Sequence, residues 1–102
     1  MKTTIFYENS FGIITQYTGE VLEKTQSTIT IKFSPKKAYK FDLKAYSDFL
    51  IVCKNKIKPL EVLKSSFNFS FDEKLRNDIL FELEKNNNIL EYWDGKKFAN
   101  WN

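Results

Sequence analysis

The sequence predicts an α+β domain in which a small bent antiparallel sheet packs on one main C-terminal helix and is followed by a β-hairpin. Three observations carry this. Phe71, Leu75, Ile79 and Leu83 recur every fourth residue, with Leu80 widening the stripe, which is the period of a helix burying one face. Residues 28–33 alternate strictly, with Ile29, Ile31 and Phe33 on one side and Thr28, Thr30 and Lys32 on the other, as a half-buried strand requires. Asp94-Gly95 separates two apolar arms, residues 89–93 and 96–101, in the pattern of a tight hairpin on a type I′ turn.

The helix is expected over residues 70–85. Ser70 followed by Glu73 fits a capping box, Asp72 and Glu73 set negative charge at the positive end of the dipole, and Asn86-Asn87-Asn88 supplies an exit that tolerates left-handed backbone. Upstream of it, residues 3–7 are β-branched and aromatic and read as a first strand, closed by a turn at Glu8-Asn9-Ser10. Residues 11–23 read as one long strand in which Gly19 marks a bulge or sharp bend. Residues 24–27 form a polar turn, and Pro35 presets the turn at 34–37. Tyr39, Phe41 and Leu43 alternate with Lys40 and Asp42 as another half-buried strand with all three on the core side. Residues 43–53 divide between a helical stripe (Leu43, Tyr46, Leu50, Cys53) and a buried strand over 49–53; the β-branched run favours the strand. Pro59 opens a short helical turn through Leu60 and Leu63, and Phe67 and Phe69 lead into the main helix.

In strand order and spacing this layout is similar to SH3-like and Sm-like small barrels, a resemblance of layout alone, which implies a partial barrel. All 102 residues are expected to form one domain with a bulky core, since 17% of them are aromatic and glycine and proline together number five. One cysteine, Cys53, allows no internal disulfide, and the chain starts without an apolar run of the signal-peptide kind. The longest apolar stretch, 49–53, is too short to cross a membrane, so a cytoplasmic protein is expected.

A net charge of +3 hides an uneven distribution. Residues 24–64 carry ten lysines against Asp42, Asp48 and Glu61, whereas residues 72–94 carry seven acids against Lys74, Arg76 and Lys85. The reading is of a basic sheet region beside an acidic helix, able to orient on a charged partner. The same pattern also suits solvated faces that happen to differ, since fifteen of the sixteen basic residues are lysine and only Arg76 offers a guanidinium fork.

These residue types argue against an enzyme. Without histidine there is no imidazole base, no His-assisted nucleophile and no His-based zinc site. Cys53 sits in an apolar run, and Gly12, Gly19 and Gly95 are isolated rather than gathered in a phosphate loop. Asp42-Leu43-Lys44 has the D-x-K shape of some metal-dependent nucleases, with Glu20 or Glu23 as a second carboxylate, but so short a pattern arises by chance in a lysine-rich chain. No cofactor and no metal is implied.

Two binding readings follow. The first is a protein-binding module, of the kind of a stoichiometric inhibitor such as an immunity protein, an antitoxin or a phage-encoded inhibitor, with a toxin or host-defence enzyme as partner. Tyr92, Trp93, Phe98 and Trp101 crowd a hairpin that can bury only one face, and Phe81 lies off the apolar stripe of its helix. The alternative is weak, sequence-tolerant nucleic-acid binding through Lys36, Lys37 and Lys40 beside Tyr39, with Lys54, Lys56 and Lys58 as a second basic turn.

Overall fold

A computed structural model of the chain describes residues 2–45, 48–63 and 73–101. The order is β1 (Lys2–Glu8), β2 (Ile14–Lys24), β3 (Thr28–Ser34), β4 (Lys37–Asp42), β5 (Leu50–Cys53), a 3-10 turn (Glu61–Leu63), α1 (Lys74–Lys85), β6 (Ile89–Trp93) and β7 (Phe98–Asn100). The strands form one antiparallel sheet in the order β4-β3-β2-β1-β5-β6-β7, so the α+β expectation holds.

Two parts of that expectation are corrected. The sheet is not closed into a barrel, SH3-like or otherwise, because β4 and β7 stand at its opposite ends and each pairs with one strand among the described residues. The β6–β7 end does approach the β2–β3 hairpin: the Phe98 N–H donates to the Gln26 carbonyl across 2.9 Å, and Lys24 bridges to Glu91 at 3.0 Å. A three-residue β7 cannot extend that contact into a ladder. Nor is the helix C-terminal, since β6 and β7 follow it and β6 pairs with β5.

The sheet separates two clusters of buried side chains. Ile5, Ile29, Ile31, Phe41, Leu50 and Val52 pack with Trp93 and Phe98, so side chains from both ends of the sheet meet and the sheet must curl around them. On its other face Phe6, Ile14, Ile51, Cys53 and Ile89 pack on Leu75, Ile79 and Leu83 of α1. Burying that helix stripe contributes roughly 1.5–3 kcal/mol per side chain. β5 lies between β1 and β6 and is buried at all four positions, which makes 50–53 of the expected 49–53 run strand and explains its unbroken apolar character.

Helix α1 ends as its asparagines predict. Asn87 takes φ 54°, its N–H donates to the Glu84 carbonyl, and the Asn88 N–H reaches back to the Leu83 carbonyl, a Schellman exit. The start differs. Glu73 precedes the helix in left-handed backbone at φ 64°, and its side chain makes no capping hydrogen bond, so it is not the N3 member of a capping box. The helix begins later than the stripe suggests; Ser70, Phe71 and Asp72, like Phe67, Phe69 and Tyr46, lie outside the described residues.

Local geometry also departs from the pattern at four further places. The irregularity in β2 falls between Val21 and Glu23, two residues past Gly19. Gly19 itself marks a close approach: a Cβ there would strike the Lys32 carbonyl oxygen and Ile31. Tyr39 is 59% exposed although it alternates with buried Phe41, because β4 is an edge and Tyr39 overhangs the core, its ring 4.9 Å from that of Phe41. The β6–β7 loop holds four residues, 94–97, because Trp93 pairs with Phe98. Gly95 has φ 100° and Asp94 has no positive φ; the Asp94 carboxylate accepts from the Lys96 and Lys97 N–H groups, which replaces the I′ turn by an Asx turn. The short helical turn after Pro59 is present, with the Leu63 N–H bonded to the Leu60 carbonyl.

Candidate functional site

The hairpin aromatics do not share one surface. A register shift between Val52 and Cys53 turns Ile89 and Tyr92 to the helix side and leaves Trp93 on the other. Strict alternation along residues 89–93 would instead put Ile89 and Trp93 on one side. Trp93 and Phe98 are therefore core, 7% and 8% exposed, and meet edge to face, with the Trp93 Nε1–H donated to the Ala45 carbonyl. Little of either ring reaches the surface. Tyr92 and Trp101 are half-buried on the helix side, also edge to face, with centroids 5.3 Å apart.

Phe81 is different. It is 72% exposed on α1, on the flank away from Tyr92 and Trp101. Phe81 shares a groove with Val62 of the 3-10 turn, and Glu61, Asp78 and Glu82 rim it. Asp78 is paired with Lys74 at 2.9 Å, which balances part of that acidity.

The opposite flank of α1 borders a second concavity, a cleft of about 340 Å³ between the helix and β5–β6. Phe49, Leu80, Tyr92 and Trp101 line it together with Asp48, Glu73 and Asp94. The Arg76 guanidinium lies over the Phe49 ring at 5.1 Å while its Nε–H donates to Glu8 at 2.7 Å. Backbone N–H groups of Lys96 and Lys97 hold the Asp94 carboxyl below its ordinary range. Sequence reading missed these three carboxylates, since they come from three separate loops and carry no shared spacing.

The lysines form no single patch. Lys36 and Lys37 sit at the β3–β4 hairpin, and Lys40 projects from β4 on the face opposite Tyr39. Lys32 shares the face of Lys40 and stands opposite Glu20, while Asp42 follows two residues along the strand. Signs thus alternate there, and Thr28, Thr30 and Ala38 rather than aromatics fill the gaps. Lys54, Lys56 and Lys58 are exposed on a loop fastened to β1 and β2: the Ile57 N–H donates to Thr4 Oγ1, and Gln16 bonds the Lys58 carbonyl and the Leu60 N–H. Lys54 is bonded to Asn87 Oδ1.

The D-x-K residues Asp42 and Lys44 form an exposed ion pair at 3.7 Å. Among the described residues no three acidic or cysteine side chains gather as a metal site. Cys53 is fully buried, and burial pushes its thiol up to about 12, which removes the thiolate a nucleophile needs. No helix among the described residues is long and apolar enough to cross a membrane. Comparison with protein-family models, with curated proteins and with solved structures finds no match.

Proposed function

We propose that this protein is a non-enzymatic binding module, a small stoichiometric inhibitor of the immunity-protein or antitoxin kind, that docks a basic protein surface along α1. One observation carries the reading: Phe81, 72% exposed, stands at the rim of an acidic groove on the element that the fold otherwise uses to bury apolar side chains. A large aromatic held on a rigid helix loses little entropy on binding, and such residues dominate interface energetics. Glu61, Asp78 and Glu82 around it select against acidic surfaces and steer basic ones. The partner-facing set reduces to Phe81 on one flank and Tyr92 and Trp101 on the other, while Trp93 and Phe98 hold the hairpin in place.

The test uses a photo-crosslinking amino acid at position 81 and, as a control, at position 40, in cells that produce the protein. Position 81 is expected to capture one basic protein that rebinds the purified chain in a one-to-one complex, weakened about tenfold or more by Phe81→Ala. Equal affinity of that variant, or crosslinking at position 40 alone, would sink the proposal. Titration with labelled RNA and DNA completes it, because saturable binding that collapses as salt rises would shift the reading to the lysines.

A further inference from the structure

We infer that the cleft between α1 and β5–β6 is a socket for a single basic side chain, arginine or lysine, presented by the partner. The inference deepens the protein-binding reading and rests on it. The walls are aromatic and apolar: Tyr92 and Trp101 meet at right angles, with Phe49 and Leu80 beside them. Cations favour the faces of such rings, and the chain already places one there, the Arg76 guanidinium over Phe49.

The charge balance favours a second cation. Asp48, Glu73 and Asp94 line the cleft; the one base in its lining, Arg76, is engaged by Glu8, and Lys97 and Lys96 beside Asp94 offset part of its charge. The first turn of α1 adds the positive end of its dipole, about half a charge, which three carboxylates outweigh. Part of their hydrogen-bonding capacity is unused. Asp48 accepts two backbone N–H groups with Oδ2 alone, and Asp94 accepts two with Oδ1 alone. The other oxygen of each accepts no hydrogen bond among the described residues. The Glu73 carboxylate makes no capping bond to the helix and is exposed. A guanidinium has five N–H donors in a planar fork and a stackable face, and so matches both the free oxygens and the rings. A carboxylate or phosphate in the same place would meet a lining in which carboxylates outnumber bases.

The experiment titrates the ¹⁵N-labelled protein with N-acetyl-argininamide and follows the Trp101 indole N–H resonance. The neutral isostere N-acetyl-citrullinamide is the comparison. A saturable shift at millimolar argininamide is expected, with citrullinamide about tenfold weaker or more. Glu73→Gln, on an exposed side chain, should weaken argininamide binding several-fold while leaving the spectrum otherwise folded, and Trp101→Leu should abolish it. No saturable shift, or equal binding of the two probes, would overturn the socket. Phe81→Ala should leave the titration unchanged, so loss of the socket and loss of the Phe81 docking face register in separate measurements.

Discussion

Arg76 on α1 donates through Nε to Glu8 Oε1 across 2.7 Å, joining the helix to the end of the central strand β1. Both side chains are largely sheltered, 22% and 15% exposed, so water screens the pair less than it screens Lys74–Asp78 on the outer helix surface. The link fixes how α1 lies on the sheet and therefore where both flanks of the helix point.

Removing either partner should cost more than the pair is worth. Arg76→Met leaves a sheltered carboxylate, and Glu8→Gln leaves a sheltered guanidinium; each is expected to lower stability by about 1–2 kcal/mol. The double variant should recover part of that loss. Urea denaturation of the four proteins measures it, and strictly additive losses would show that the two groups do not interact.

Gly19→Ala should destabilise by about 2–3 kcal/mol, since the new methyl would meet the Lys32 backbone as well as the buried Ile31 side chain, and backbone yields only by opening the β2–β3 ladder. The denaturation midpoint reads this. A change below about 0.5 kcal/mol would mean that the strands separate there at little cost.

What could be read in advance follows from range. The helix stripe Leu75–Ile79–Leu83, the alternation through Ile29 and Ile31, and the asparagine exit are local signals, and each stands in the structure. The failures are those of non-local geometry. Alternation through Trp93 could not show the register shift opposite Val52 and Cys53 that turns Ile89 to the helix. Nothing near Tyr39 reveals that its strand is an edge, and strand count alone could not show that the sheet stays open. The cleft was invisible for the same reason, because Asp48, Glu73 and Asp94 come to line one cleft only once β5, α1 and β6 are assembled.

Cys53 should be chemically silent in the native state. Its thiol, raised by burial to about 12, carries almost no thiolate at pH 8. Alkylation by iodoacetamide should therefore proceed only as fast as the protein opens, and should accelerate sharply in urea. The linkage sign is set by the raised value: the group favours the folded state below the unfolded thiol's value of about 8.5, and that contribution is lost as pH rises toward 12. Modification at pH 8 as fast as in a free thiol would contradict the burial on which this rests.

Phe81→Ala separates binding from folding. With 72% of its surface in water, the ring contributes little to the core, and alanine is the better helix former by about 0.5 kcal/mol. Stability should therefore stay within about 0.5 kcal/mol of the parent or rise slightly. Trp93→Ala removes a side chain packed between the two ends of the sheet and should cost about 3–5 kcal/mol. If Phe81 instead serves the fold, its loss should lower the melting temperature by several degrees, and the docking face would then have to be sought elsewhere. If stability holds while the partner complex weakens about tenfold, the ring's exposure is explained by what it touches outside the chain.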